Sequence, residues 1–267
     1  MPVIDLKALL PQVVALADRA GALIMTVYEQ TDPGVSYKAD DSPLTRADMA
    51  SHRLLMEGLS GLPPRWPVLS EESRAIPPEE RQAWPRYWLV DPLDGTKEFI
   101  KRRNEFTVNV ALIENHEPVL GVVYAPALKV CYYAARGVGA WKRQNDQPPV
   151  AIRVADYRAN GLKMVVSRSH AGGETEALVR KLDPAECISI GSSLKLCLVA
   201  EGRAHLYPRL GPTMEWDIAA AQCVVEAAGG TATDFSGNPL RYNKPSLENP
   251  NFIVCGYPPF PWRDYLS

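Results

Sequence analysis

The stretch Trp88-Leu89-Val90-Asp91-Pro92-Leu93-Asp94-Gly95-Thr96 constrains this chain more than any other. The apolar run from Tyr87 to Val90 reads as a buried strand that ends at a carboxylate. Pro92 confines Asp91 to an extended or turn geometry and is expected to stop the ladder there. Asp94 and Gly95 close the turn, with Gly95 free to take a positive φ or to let a ligand approach its backbone. Two carboxylates three residues apart at the mouth of a strand aim hard oxygen ligands at one point. Mg²⁺ takes a few such carboxylates and draws its other oxygens from water and phosphate. An Asx-stabilised turn between strand and helix explains the same residues, so this stretch alone leaves turn and metal site open.

Other acids fall where a second ligand set belongs. Val68-Leu69-Ser70-Glu71-Glu72-Ser73 is another short strand end running into acid, and Thr213-Met214-Glu215-Trp216-Asp217 puts an acid at the start of a helical run. Separately, Glu71 and Glu72 suit a solvated loop and Asp217 suits a helix cap. Jointly the three motifs resemble the inositol monophosphatase superfamily of Mg²⁺-dependent, lithium-sensitive phosphatases. Asp-Pro-Leu-Asp-Gly-Thr is similar to that family's first signature and Trp-Asp-Ile-Ala-Ala-Ala to its second, and the likeness covers nearly the whole chain. Within it the chain most resembles the 3'(2'),5'-bisphosphate nucleotidases of the CysQ type. Leu69-Ser70-Glu71-Glu72, Asp94 to Phe99, and Gly191-Ser192-Ser193-Leu194-Lys195 continuing to Tyr207-Pro208-Arg209 carry this finer match. Lys97-Glu98-Phe99 stands where inositol phosphatases tend to have Thr-Asn-Phe.

Composition narrows the remainder. At 267 residues the chain can bury a sizeable core, and a net charge of −2 advertises no polyanion-binding face, so no nucleic-acid partner is expected. Five cysteines without a Cys-x-x-Cys pair read as buried free thiols of a reducing compartment, not zinc ligands. No cleavable signal opens the chain and no run of eighteen apolar residues is present, so a cytoplasmic protein without an integral membrane segment is expected. Peripheral association with the inner membrane, described for some relatives, is left open. So is the choice between monomer and homodimer, with monomer favoured.

Helical spacing of Leu6, Leu9, Val13, Ala17, Ala20, Ile24 and Val27 predicts an amphipathic helix from about Asp5 to Tyr28. A second runs from Thr45 to about Leu59. Residues 66–141 read as strands, with Phe106–Ile113, Val119–Tyr124 and Val130–Ala134 forming an antiparallel meander. Beyond the polar segment 144–149, strands (163–167, 187–190, 205–207) alternate with helices (174–181, 194–200, 216–228), which argues an α/β second half. The expected organisation is an α+β region over 1–145 holding most metal ligands. An α/β region over 146–267 would hold the specificity residues and one ligand. The resemblance implies a layered αβαβα sandwich with the site between the halves.

The resemblance also implies residue roles. Glu71, Asp91, Asp94, Asp217 and the Leu93 carbonyl would hold two or three Mg²⁺ ions, with Glu72 behind Glu71. Asp48 would accept a hydrogen bond from Thr96, whose hydroxyl orients and helps deprotonate the attacking water, with Glu71 alongside; Thr45 and Asp48 equally suit a helix cap. Gly95, Thr96 and Lys97 open a helix whose free N–H groups suit phosphate. Lys38 is either near the phosphate or a third metal, or solvated. Lys195 and Arg209 would hold a second phosphate, Arg209 through its planar fork, with Ser192 and His170 as further donors; Asp94 and Asp217 would also touch substrate. The expected reaction removes the 3'-phosphate of adenosine 3',5'-bisphosphate (PAP), and the sulfated analogue (PAPS) suits the same site. Inositol monophosphatase or fructose-1,6-bisphosphatase activity is the alternative, and a catalytically silent metal-binding regulator the alternative of another class.

Overall fold

The computed structural model describes residues 4–265 apart from 39–41, 74, 160 and 169–172. The first half contains α1 (Leu6–Tyr28), β1 (Ser36–Tyr37), β2 (Pro43–Leu44), α2 (Arg46–Gly61), β3 (Val68–Ser70), α3 (Pro78–Arg81), β4 (Arg86–Asp94) and α4 (Thr96–Ile100). There follow β5 (Thr107–Glu114), β6 (Glu117–Ala125), β7 (Val130–Ala135), β8 (Gly139–Gln144) and β9 (Val150–Ala151). The second half contains β10 (Lys163–Ser167), α5 (Gly173–Leu182), β11 (Glu186–Ile190), α6 (Leu194–Ala200), β12 (Leu206–Arg209), α7 (Glu215–Ala227), β13 (Thr231–Asp234) and β14 (Phe252–Cys255).

β3 to β9 form a seven-stranded sheet in sequence order, β3 parallel to β4 and every later pair antiparallel. The meander is therefore as expected, and segment 144–149 is the turn between its last two strands. Alternation along β4 sorts the side chains. Trp88 and Val90 face a cluster built with Leu9, Val13 and Ile24 of α1, while Tyr87 and Leu89 face one built with α6 and α7. Gly121 of β6 lets α7 come that close, since a Cβ there would lie 2.2 Å from the Ala220 carbonyl oxygen.

The second sheet has the order β11-β10-β12-β14-β13. β10 is parallel to β11 and β12, whereas β14 runs antiparallel to β12 and β13. The expected α/β alternation holds up to β12; the two antiparallel strands are an addition. Val165, Tyr207 and Val254 face α6 and α7, and Met164, Leu206 and Ile253 face α5. The layers are thus α1 and α2, a sheet, α6 and α7, a sheet, and α5, the αβαβα sandwich.

Two expectations are corrected, and one helix adds to a third. Pro92 does not end β4: the register shifts between Asp91 and Asp94, and pairing resumes at Asp94 with Thr107. The missing proline N–H is accommodated as a bulge. Cys187 is exposed, because β11 is an edge strand, while Cys131, Cys197, Cys223 and Cys255 are buried. Finally, α1 is long and apolar enough to cross a membrane, with a mean hydropathy of 1.4. Lys7, Asp18 and Arg19 interrupt it, so it is not an unbroken apolar run. Burial of Leu9, Val13, Leu16 and Ile24 accounts for that apolarity, each contributing about 1.5–3 kcal/mol.

Candidate active site

Parallel pairing of β3 with β4 brings two acids to one level. Ser70 is in register with Val90, so Glu71 and Asp91 leave adjacent strand ends together, and the Glu71 N–H donates to the Val90 carbonyl at 3.1 Å. Asp91 is buried, and its Oδ1 accepts from the Leu93 N–H at 3.0 Å. The turn is braced by Ser51, which donates to the Pro92 carbonyl at 2.7 Å. Gly95 has φ 92, and a Cβ would meet the Glu105 carbonyl oxygen at 3.0 Å, so glycine is required there. The turn delivers Asp94 from one side and Thr96 from the other. Asp217 arrives as the third residue of α7, in its first turn, where its Oδ2 accepts from the Met214 N–H at 2.9 Å.

Thr96 Oγ1 donates to Asp48 Oδ1 at 3.2 Å and lies 3.3 Å from the Leu93 carbonyl. The two readings of Asp48 prove compatible, one per oxygen. Oδ2 accepts from the Thr45 N–H at 2.8 Å and from the Thr45 hydroxyl, completing a capping box, while Oδ1 meets Thr96. Burial holds the Asp48 carboxyl above the usual carboxylate range.

Burial, reinforced by like charge, sets the electrostatics. Burial first, then Glu71, Asp94 and Asp217, push Asp91 well above the usual range. Asp217 is raised to about 8 by burial and then by Asp94. Four carboxylates this close cannot all ionise without cations. The donor set is all hard oxygen, which fits Mg²⁺. One cation already present is Lys38, whose Nζ is 2.8 Å from Glu71 and 2.6 Å from Glu72. Lys38 is thus engaged, not solvated, and Glu72 is an inner acid beside Glu71. Among the described residues no three metal-ligating side chains are already closed around one point. Glu71 would exchange its ammonium partner for a metal.

Glu71, Asp91, Asp94, Thr96 and Asp217 line a cavity of about 440 Å³ whose remaining wall comes largely from the second half. Lys195 and Arg209 are both buried in that wall. Lys195 donates to the Ser192 carbonyl, lies 5.8 Å from the centre of the Tyr207 ring, and is lowered to about 8 by burial, with Asp94 opposing. Arg209 donates from Nε to the Gly211 carbonyl at 3.1 Å and from a terminal nitrogen to the Pro212 carbonyl at 2.7 Å. Lys97 is exposed at the rim, on a helix of only five residues. His170 lies outside the described residues.

Three residues escaped the sequence reading. Thr107 and Asn109 are buried on β5, and Ser193 follows Ser192 before α6. The Ser192 hydroxyl donates to Asp94 Oδ2 at 2.5 Å, and the Ser193 N–H donates to the same oxygen at 2.7 Å. Asn109 Oδ1 accepts from Ser193 and Thr107 hydroxyls at 2.8 and 3.0 Å. A signal existed: Thr107 and Asn109 interrupt the otherwise apolar run Phe106–Ile113 at alternate positions, on one face.

The sequence model of the inositol monophosphatase family matches residues 5–258. The 3'(2'),5'-bisphosphate nucleotidase CysQ of Escherichia coli strain K12 is 53% identical over 253 residues, covering 93% of this chain and all of that protein. The protein of that name from Aggregatibacter actinomycetemcomitans is 41% identical over 98% of this chain and 97% of its own. Among solved structures, CysQ from Bacteroides thetaiotaomicron superposes with a TM-score of 0.83 at 42% identity, covering 93% of this chain and 97% of that one. The suhB protein of Bartonella henselae gives 0.78 at 28% identity, over 94% of each chain. Fold, carboxylate cluster and relatives agree, and the chain belongs to the inositol monophosphatase family.

Proposed function

We propose that the protein is a Mg²⁺-dependent phosphatase that removes the 3'-phosphate of PAP, giving AMP and phosphate, and that it also converts PAPS to adenosine 5'-phosphosulfate. The observation that carries this reading is a cavity lined by Glu71, Asp91, Asp94 and Asp217 on its acid wall and, beside them, by two buried cations, Lys195 and Arg209. A monophosphate needs the first wall only, whereas a bisphosphate uses both. The names borne by relatives at 41–53% identity support the same substrate. Lys97-Glu98-Phe99 and the Lys195–Arg209 pair argue against an inositol or fructose phosphatase.

Glu71, Asp91, Asp94, Asp217 and the Leu93 carbonyl are the groups that would hold two or three Mg²⁺ ions. Such ions, when bound, neutralise the phosphate and acidify water. The chain's own residues do the rest. The attacking water's oxygen bonds to phosphorus and the P–O bond to the ribose 3' carbon's oxygen breaks. One water proton passes to Thr96 Oγ1 while Thr96 gives its own to Asp48 Oδ1, and the departing 3' oxygen takes a proton from solvent. Raised by burial, Asp48 is suited to accept that proton. Lys195 and Arg209 orient the 5'-phosphate away from the acids, and Gly95, Thr96 and Lys97 border the phosphate being cleaved. Asp94 and Asp217 touch the substrate from the acid wall, and His170 belongs to the same set as a donor to the nucleotide.

We place the protein in the cytoplasm as a monomer acting on a free nucleotide, without nucleic acid. The test is phosphate release from PAP, PAPS, inositol 1-phosphate and fructose 1,6-bisphosphate, with and without Mg²⁺. Mg²⁺-dependent release with PAP preferred is expected. Equal or better turnover of an inositol or fructose phosphate would replace the reading, and no release from any would point to a silent regulator.

A further inference from the structure

Residues 242–249 belong to no helix or strand, so their shape is set by what holds them. We propose that this segment is a strap that positions Asp217, and that Asn249 is the positioning residue through which it acts. The proposal rests on the reading of Asp217 as a metal ligand.

Asp217 and Met214 are bonded in both directions. Asp217 Oδ2 accepts from the Met214 N–H at 2.9 Å, and the Asp217 N–H donates to the Met214 carbonyl at 3.1 Å. The place of Met214 therefore decides where the carboxylate points. Met214 precedes α7 with an extended backbone, so the helix itself does not fix it. Asn249 does. Its Nδ2 donates to the Met214 carbonyl at 2.7 Å and to Thr213 Oγ1 at 3.2 Å, and its backbone N–H donates to the Thr213 carbonyl at 2.8 Å. A carbonyl only accepts, so the amide nitrogen is the atom that faces Met214. Lys244 Nζ, which only donates, stands 3.5 Å from Asn249 Oδ1 and fixes the same orientation from the other side.

The strap is made rigid from its far end. Arg81, the last residue of α3, donates to Asn243 Oδ1 at 2.9 Å and to the Lys244 and Pro245 carbonyls at 2.6 and 2.7 Å. Asn243 Nδ2 returns a bond to the Arg81 carbonyl at 2.7 Å. Glu215 accepts from the Asn243 and Lys244 N–H groups at 2.7 and 3.1 Å and from Lys244 Nζ at 2.6 Å, while its own N–H donates to the Leu247 carbonyl at 2.8 Å. Arg81, Asn243, Glu215 and Asn249 are all buried, and none of them lines the cavity, whereas Thr213, Met214 and Asp217 do. Burying a guanidinium and a carboxylate is costly unless their bonds are met, and here they are met largely by the backbone of one irregular segment. A connection between β13 and β14 needs no such hold. A support for Met214 does.

Groups that orient a metal ligand are worth about ten- to a hundredfold in metal affinity, and Asn249, one residue further back, belongs at the lower end of that range. The experiment is Mn²⁺ titration calorimetry on the full chain without substrate, for wild type, Asn249→Ala, Arg81→Lys and Asp217→Asn, each below its own melting temperature. Mn²⁺ shares the preference of Mg²⁺ for carboxylate and carbonyl oxygen. Lysine keeps the charge of Arg81 but lacks the planar fork that reaches three acceptors. The expected result is Mn²⁺ binding weakened about tenfold in Asn249→Ala and by less in Arg81→Lys, with kcat recovering at saturating metal. Unchanged Mn²⁺ affinity in Asn249→Ala, with affinity lost in Asp217→Asn, overturns the proposal, even if the melting temperature falls, because a strap that only stabilises the fold would do the same. If Asn249→Ala does not fold, Arg81→Lys decides, since it touches neither Met214 nor Asp217: weakened binding by the folded variant supports the strap and wild-type affinity overturns it. Wild-type affinity in Asp217→Asn would instead remove that acid from the metals, and the proposal would fall with it.

Discussion

The two walls of the cavity are built by different means. On the acid wall, each side chain is delivered by a terminus of regular structure: Glu71 by β3, Asp91 and Asp94 by the bulged end of β4, and Asp217 by the first turn of α7, with Asp48 behind Thr96 in the first turn of α2. Their bracing is mostly local, as in Leu93 N–H to Asp91 and Met214 N–H to Asp217. On the cationic wall, Lys195 and Arg209 hang on backbone carbonyls of neighbouring turns, and the loop before α6 is fixed by partners 84 to 99 residues away in the chain. Local bracing makes a wall that is set as soon as its elements form. Long-range bracing makes one that exists only when both sheets have closed on α6 and α7. Chemistry should therefore tolerate little change on the acid wall, whereas selectivity should be adjustable on the other.

Asp91→Asn tests the acid wall most severely. The side chain is close to isosteric, so the fold should persist while one charge is lost from the metal-holding set. Hydrolysis of every phosphate ester should then fall by more than the ten- to hundredfold typical of groups behind a ligand. Circular dichroism checks the fold and phosphate release at saturating Mg²⁺ checks the loss. Retained activity would break the division between walls, because it would remove the central acid from the chemistry.

Thr96→Ala and Asp48→Asn come next, at about 10²–10⁴-fold each, the usual worth of a positioned proton acceptor. Because Thr96 reaches Asp48 Oδ1 directly, the two should act as one unit, and the double variant should lose little more than either single one. Free-energy losses that simply add would dissolve the relay. The Asp48→Asn variant also disturbs the capping box, so melting temperature must be recorded beside activity.

This division also explains what the sequence disclosed. Asp91, Pro92, Leu93, Asp94, Gly95 and Thr96 are contiguous, so their geometry is legible from turn chemistry alone; only the resumption of the ladder at Asp94 depended on a partner, Thr107. Asp5 and Thr45 marked the starts of α1 and α2 in the same local way. Ser193 and Asn109 were silent because they meet across 84 residues, and nothing in Gly-Ser-Ser says which acid it will face. β13 and β14 were missed for a related reason: four residues each, they are strands only because they pair with one another and with β12. Cys187 follows Glu186 and precedes Ile188, and composition cannot distinguish an edge strand from a central one.

Lys195→Ala and Arg209→Ala probe the second wall. Each removes a cation that only a bisphosphate can use, and a charge-assisted hydrogen bond is worth roughly 1.5–3 kcal/mol. The ratio of kcat/KM for PAP over inositol 1-phosphate should fall by on the order of ten- to a hundredfold, with the second substrate little affected. An unchanged ratio would make both residues structural cations, bound to Ser192, Gly211 and Pro212 and nothing else.

The smallest effect is the most discriminating, since it needs no mutation to appear. Lys195 is lowered to about 8 by burial, whereas guanidinium groups do not deprotonate in proteins. Below about pH 8 the ammonium form prevails and both cations face the second phosphate. As pH rises through that value Lys195 becomes neutral and one of them is lost. Selectivity for PAP over inositol 1-phosphate should therefore decline between about pH 7 and about pH 9.5, by no more than the roughly tenfold that one such contact supplies. Taking the ratio cancels whatever titrates on the acid wall, because both substrates use it. The ratio of kcat/KM reports groups of the free enzyme, so a bound phosphate's tendency to keep Lys195 protonated does not enter. The Lys195→Ala variant should give a flat profile at the lower value, and wild type should approach it at the alkaline end. A wild-type ratio flat across the whole range would mean that the Lys195 charge does no selecting, and that Arg209 alone distinguishes the two walls.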